Sequence, residues 1–504
     1  MDSPQEPTSS DLTQRPSEAP SDGGLKRTLS HRQMQMIAIG GAIGTGLFVA
    51  SGASISQAGP GGALVAYAAI GLMVLLLMQS LGEMAAHLPV PGSFQTYATR
   101  FVSPSFGFAT GWNYWFNWAI TVAAELVAAG IVLSFWFPQV PGWIWAGVFL
   151  VLLTSLNAMS ARAYGEGEFW LAMIKVIAVV VFLIVGVLMI IGILGGTSPG
   201  FTNWTPGDAP FHGGFLSIIS IFMVAGFSFQ GTELVGVAAA ESRDPRKDIP
   251  QAIHAVFWRI LIFYIGAILV IGFLIPYTDP HLLASGEADV ARSPFTLVLQ
   301  RSGIAVAASV MNAVILTAIL SAGNSGLYAS TRMLHALALS GQAPKVFAQV
   351  SRHGVPIPAL LATAAIGGFG FLTAVIGQGA AYTWLLNVSG LSGFLAWVSI
   401  ALSHYRFRRA YVLQGNDTAK LPYRAPWFPL GPIVAFTLCI VVILGQNYNA
   451  IFEGKLLAVL SSYLGLPVFL AVWAIHKLVT SSKPVALADA DVAGYEEEPA
   501  AAQD

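Results

Sequence analysis

Between residues 34 and 477 the chain is a succession of apolar runs, each close to the length of a membrane-crossing helix and parted from the next by polar punctuation. A helix needs about 20 residues to cross a hydrocarbon core of about 30 Å. In that medium a segment must satisfy its own backbone N–H and C=O groups, which a helix does. The runs and their punctuation predict twelve spans, at 34–53, 63–86, 106–134, 141–159, 169–195, 213–240, 254–276, 303–335, 358–377, 381–403, 430–447 and 457–477. With 55% hydrophobic and only 10% charged residues, the composition lies far from that of a soluble domain. The expected fold class is an all-α polytopic membrane protein.

The basic residues test the count. Placed alternately on two sides, the connections put nearly all of the 24 Lys and Arg with the N-terminus, among them Lys26, Arg27, Arg246, Lys247, Arg406, Arg408 and Arg409. Arg292, Arg301 and Lys455 fall opposite, and Lys175 lies inside a span. The positive-inside rule then places both termini in the cytoplasm. Residues 1–33 are rich in Pro, Ser and Asp with no apolar core, so a disordered cytoplasmic tail is expected in place of a signal peptide. Residues 479–504 read the same way. Between the tails the expected units are a transport core over 34–403 and a cytoplasmic loop with two further helices over 404–478.

Other function classes find little footing. A single cysteine, Cys439, rules out an internal disulfide and a cysteine-based metal cluster. No metalloprotease, phosphate-loop or nucleophile-elbow motif occurs, so an enzyme, a metal site and a cofactor are not expected. The net charge of −1 gives no reason to expect a nucleic-acid partner.

The stretch "IGGAIGTGLFVASG" at 39–52 sets glycines where a helix should cross lipid. Helix breaks are tolerated at that depth only where the freed backbone faces protein or a wet cavity, although close packing through small residues explains a single such motif equally well. Span six carries a second one, "FMVAGFSFQGTELVGVAAAES", with Gly226, Gly231 and Gly236 around Glu233. Spans one and six correspond if the first ten helices form two five-helix halves. Paired interruptions in corresponding spans point to the central site of a secondary transporter. On span three, Tyr114, Trp118 and Glu125 fall near one helical stripe. Two aromatics and a carboxylate there suit a ligand with an apolar stem and a cationic end, and Glu125 as a structural hydrogen-bond partner is the other reading.

Together, "IGGAIGTGLFVASG", "QAGPGGA", "LGEMAAHLPVPGSFQTYATRF", "GWNYWFNW", "GFSFQGTELVGVAAAES" and "SAGNSGLYASTRMLHALALSGQAP" resemble the amino acid permeases of the amino acid, polyamine and organocation superfamily over about residues 26–478. The segments "SHYRFRRAYVLQGNDTAKLPYRAPWFPLGPI" and "LGQNY" are most similar to its bacterial lysine-transporting members. The resemblance implies a ten-helix core of inverted repeats with helices one and six broken, two extra helices, and proton-driven uptake at the bacterial inner membrane. The proton is the coupling ion and L-lysine the expected substrate.

By the same resemblance, Thr45 and the backbone N–H groups around Gly44 and Gly46 bind the substrate carboxylate. Carbonyls at Ala42, Phe227 and Gln230 receive its α-ammonium, and Phe227 closes over it as a gate. Half-helix N-termini offer positive partial charge and unpaired donors, which gives the anion end of this scheme an independent reason.

Intramembrane charges are costly unless paired or wet. Lys175 either snorkels to the interface or, as the resemblance implies, replaces the sodium ion of sodium-coupled relatives, bracing span one against span eight and taking part in coupling. Glu233, just past the break in span six, is the better proton candidate. Glu83, Glu241 and Arg332 fall near cytoplasmic ends, as solvated charges or an inner gate. An ion channel, a membrane enzyme, a non-transporting amino-acid sensor, and a permease for arginine, histidine or an aromatic amino acid are the competing readings.

Overall fold

In a computed structural model, which describes residues 27–41, 43–283, 293–303 and 306–494, the centre of the molecule is the span-three helix Pro104–Leu133. Ser103 starts it by accepting the Phe106 N–H at 3.2 Å, with Pro104 at the first helical position, where its missing N–H costs nothing. It packs against span eight, Ala307–Leu339, and span ten, Gln378–Leu413, the most extensive helix pairings in the fold.

Among the described residues eight helices are long and apolar enough to cross a membrane, at the positions of expected spans two to five and seven to ten. Expected spans one, six, eleven and twelve are built of shorter helical pieces. No strand occurs there, only a lone bridge between Leu29 and Ser242. The fold is all-α and polytopic. Its periphery is apolar: Val151 is 68% exposed on Gly142–Met159 and Ile177 55% exposed on Ala161–Ile190, as lipid-facing side chains should be.

Span five differs from its expected start at 169. Ser160 accepts the Ala163 N–H at 3.0 Å and the helix runs Ala161–Ile190. The charged stretch that looks like a loop is helical because its charges have partners: Glu166 bonds Arg32 at 2.6 Å, and Glu168 is buried against span eight. Lys175 is therefore about 21 Å along its helix. It is fully buried and does not reach an interface.

The expected tails are shorter than read. Leu29 is buried and exchanges backbone hydrogen bonds with Glu241 and Arg243, at 3.0 and 3.2 Å, so the ordered body includes residues 27–33. Beyond span twelve, residues 482–494 lie back across the end of the bundle. Val485 N–H donates to the Val102 carbonyl at 2.9 Å, Gln414 donates to the carbonyls of Leu487 and Ala490, and Asp491 pairs with Arg100 at 3.0 Å. Backbone bonds and burial hold both segments where composition alone suggests disorder. Residues 1–26 and 495–504 lie outside the described residues, as does Arg292 of the charge count.

On that same end Glu83 is buried, not solvated. Its carboxylate accepts from Arg408, from the Ala425 N–H at 2.7 Å, and faces His404 Nε2 at 3.2 Å. The cluster ties span two to span ten and to the loop before span eleven. Removing one partner strands a buried charge, which costs about 3–5 kcal/mol, while apolar replacement of both is nearly neutral. Arg408→Ala is expected to lower the melting temperature in detergent clearly, and Arg408→Met with Glu83→Leu to recover most of the loss. An Arg408→Ala protein that melts like the wild type removes the cluster from the stability account.

Candidate functional site

The first half-helix of span one, His31–Gly40, stops inside the molecule, and the chain resumes helical form from Gly46. Span six runs through Phe222–Phe227, breaks over residues 228–233, and resumes at Leu234–Ala238. The two interruptions touch backbone to backbone. A Cβ on Gly46 would lie 2.4 Å from Ser228 Cα, so only glycine fits the crossing. Within the second break Gly231 takes φ +96°, a left-handed turn closed to most side chains.

A helix that ends inside the protein leaves carbonyls without intrahelical partners and carries negative partial charge there. Two buried cations meet it. Lys175 Nζ donates to the Gly40 carbonyl at 2.5 Å, and Arg259 donates to the Ala38 carbonyl. Arg259 also reaches Thr232 Oγ1 at 2.5 Å, joining the end of half-helix one to the break of span six. On the other side of that break Tyr264 donates to the Ser228 carbonyl at 2.8 Å.

Between the breaks and span three is a small cavity of about 20 Å³ among buried residues, lined by Gly41, Gly44, Gly46, Trp118, Thr121, Glu125, Phe227, Gln230 and Ala322. That volume holds a water and no more. Thr45 donates to Glu125 Oε1 at 3.0 Å. Glu125 Oε2, Trp118 Nε1 and Gln230 Oε1 are buried without a protein partner. An unmade buried hydrogen bond costs about 1–3 kcal/mol, so the cavity walls offer two acceptors and one donor to a polar guest. The helix restarting at Gly46 adds N–H groups that have no intrahelical acceptor.

Of the residues singled out in the sequence, Gly44, Gly46, Trp118, Glu125, Phe227 and Gln230 line this cavity, and Thr45 is bonded to its carboxylate. Ala42 lies outside the described residues. Tyr114 and Glu233 are not among the lining residues. They form a separate buried group in which Tyr114 donates to Glu233 at 3.1 Å, while Trp397 Nε1 and the Gly231 N–H donate to its other oxygen at 3.2 and 3.1 Å. Lys175 sits in a third group with Gly40 of span one and Ser321 of span eight, Ser321 Oγ accepting at 2.8 Å. Glu241 accepts from Arg332 at 2.9 Å and from Tyr328 at 2.6 Å, so these residues too are buried and paired.

Thr121, Arg259, Trp397 and Glu168 were not foreseen. Arg259 carries a signal, an arginine six residues into expected span seven. Glu168 was hidden by placing the start of span five one residue beyond it. Thr121 and Trp397 have no sequence signal, because only the tertiary packing brings them to the site.

The sequence profile of the amino acid permease family matches residues 33–487. The lysine-specific permease of Escherichia coli (strain K12) is 60% identical over 459 residues, covering 90% of this chain and 94% of that protein. A lysine-specific permease of Lactococcus lactis subsp. cremoris (strain MG1363) is 50% identical over 94% of each chain. The histidine permease of the same strain is 48% identical over 93% of this chain and 98% of its own.

The crossing of the two breaks can be tested by overpacking, which costs about 1–3 kcal/mol in a close-packed interior. Gly46→Ala is expected to lower the melting temperature in detergent by that measure. Gly147→Ala, whose new Cβ would meet only an ordinary contact with Phe371 at 3.4 Å, should leave it unchanged or raise it. Equal melting of the two variants would show that Gly46 does not hold the breaks together.

Proposed function

The chain belongs to the amino acid permease family, and from that premise we propose that it takes up L-lysine across a bacterial cytoplasmic membrane by proton-coupled alternating access, with both termini in the cytoplasm. It is a multi-pass membrane transporter and not an enzyme. The observation that carries the substrate reading is a small buried cavity at the crossing of two broken helices, walled by the Glu125 carboxylate and two aromatics. The names of its lysine-specific relatives support it.

In this reading the substrate carboxylate takes the N–H groups around Gly44 and Gly46 and the Thr45 hydroxyl, which now bonds Glu125. The α-ammonium takes the carbonyls of Ala42, Phe227 and Gln230. Trp118 and Glu125 receive the stem and the side-chain ammonium, with Tyr114 behind them. A lysine exceeds the present cavity, so its walls must part to admit one. The ten-helix core works as two inverted five-helix halves that rock about this point. Lys175 and Glu233 carry the coupling, and the proton is the only co-substrate.

The energetics suit accumulation. Each positive charge moving down 100 mV gains about 2.3 kcal/mol. Lysine with one proton thus gains about 4.6 kcal/mol, enough for a gradient above about a thousandfold. Histidine is the second reading, because a histidine permease covers nearly the same length at 48% identity.

The test is uptake of labelled lysine into liposomes holding the purified protein under an inward proton gradient, competed separately by arginine, histidine, ornithine and phenylalanine. Gradient-dependent uptake that resists all four competitors is expected. Displacement by histidine or phenylalanine moves the substrate assignment and leaves the site standing, whereas uptake indifferent to the gradient removes proton coupling.

A further inference from the structure

Span five carries a second buried ionisable group besides Lys175. Glu168 has no exposed surface, and seven residues along one helix place it about 10 Å nearer the cytoplasmic end than Lys175. Its Oε1 lies 3.7 Å from Lys175 Nζ. A continuous hydrogen-bonded wire also joins them: Lys175 Nζ donates to Ser321 Oγ at 2.8 Å, and Ser321 Oγ donates to Glu168 Oε1 at 2.6 Å. The other carboxylate oxygen, Oε2, is buried without a hydrogen-bond partner.

The pair belongs to a longer seam. Tyr164, Glu168 and Lys175 share one face of span five, and Ser321, Ser325, Tyr328 and Arg332 share one face of span eight. The two stripes meet. Below Glu168, Tyr164 donates to Ser325 at 3.3 Å and its ring stacks on Tyr328 at 4.0 Å. Tyr328 and Arg332 then bond Glu241. The remaining ionisable groups facing the pair are Glu125 from span three and Arg259 from span seven, both close enough to act on the Lys175 charge. Of the other helices on span five, His31–Gly40 carries His31 and Arg32, paired with Asp248 and Glu166, Pro294–Arg301 carries Arg301, paired with Asp279, and Gly142–Met159 and Gly266–Leu274 carry no ionisable residue.

We propose that Glu168 accepts the coupled proton from Lys175 through Ser321 and releases it to the cytoplasm along the seam between spans five and eight. This rests on the proton-coupled reading above. In the transfer an N–H bond of the Lys175 ammonium breaks as its proton passes to Ser321 Oγ, whose own hydroxyl proton passes to Glu168 Oε1. Serine is left unchanged, and ammonium and carboxylate become amine and carboxylic acid. When the seam parts, the Glu168 O–H bond breaks to a water admitted from the cytoplasm and the carboxylate returns. A proton entering with the next substrate restores the Lys175 ammonium, so one proton enters and one leaves per cycle.

The transfer acts on transport through the Gly40 carbonyl. The ammonium holds the end of half-helix one by a charge-assisted bond, and the neutral amine holds it far less strongly. Loss of the proton to Glu168 therefore loosens span one from spans five and eight at the moment the cytoplasmic side must open.

The experiment compares wild type, Glu168→Gln and Glu168→Asp in liposomes, each full-length and checked by melting curve. Two assays are run: lysine accumulation driven by an inward gradient of one pH unit, and exchange of labelled for unlabelled lysine with no gradient. One pH unit supplies about a tenfold accumulation per proton. Glu168→Gln should lose that accumulation and retain exchange, and Glu168→Asp should retain accumulation with a displaced pH profile.

Full accumulation by Glu168→Gln overturns the proposal. So does loss of exchange in a Glu168→Gln protein that melts normally, since that marks a purely structural residue. If Glu168→Gln does not fold, Glu168→Asp decides, a pH profile identical to wild type overturning the relay and a displaced one supporting it. A wild type indifferent to the gradient removes the coupling reading and the relay together, and is recognised before any variant is compared.

Discussion

A helix that stops in the middle of a membrane protein leaves its last carbonyls facing nothing, and the arrangement here depends on how that end is met. Lys175 and Arg259, both buried, take the carbonyls of Gly40 and Ala38. The match is electrostatic in both directions: the cations offset the negative end of half-helix one, and the carbonyls supply part of the solvation the cations lost on burial. Because Lys175 stands on span five and bonds span eight, while Arg259 stands on span seven and bonds span six, one helix end becomes the junction of four others. The cavity lies just past that junction, so its walls are positioned by the same contacts.

The second consequence is a division of labour among buried carboxylates. Glu233 has donors on both oxygens, from Tyr114, Trp397 and the Gly231 N–H, and so fixes the turn in span six. Glu83 is held by Arg408 and Ala425 and fixes one end of the bundle. Glu125 and Glu168 each keep one oxygen without a partner. A carboxylate left half satisfied in a low-dielectric interior retains a tendency to bind something else. Glu125 keeps that tendency at the cavity, and Glu168 keeps it on the seam between spans five and eight.

Much of this was legible before any coordinates. The apolar runs, the two glycine-rich interruptions and the lone Lys175 each follow from what lipid permits a backbone or a charge to do, and Gly46 proves to be needed for a backbone contact with Ser228. What escaped was set by packing. The stripe of Tyr114, Trp118 and Glu125 was read as one face, yet Tyr114 turns to Glu233 while the other two line the cavity. Glu168 was lost to a boundary placed too late, because charges at 162–168 look like a loop until Arg32 and Ser321 are known to pair with them. The segment 482–494 looks like a tail because its bonds run through backbone carbonyls, which composition does not display.

The cavity lining is polar as well as tight. Three groups there lack a protein partner, at about 1–3 kcal/mol each, and so favour a polar guest. In the proposed cycle, an amino acid that satisfies them returns that energy only when the walls have closed on it, so binding and closure are favoured together. On the far side of half-helix one, the Lys175 ammonium holds the same element in place through Gly40. In the proposed cycle, substrate and proton both act on this one short helix end. A single element biased from both sides is a sufficient physical basis for coupling between them, without any longer-range pathway through the bundle.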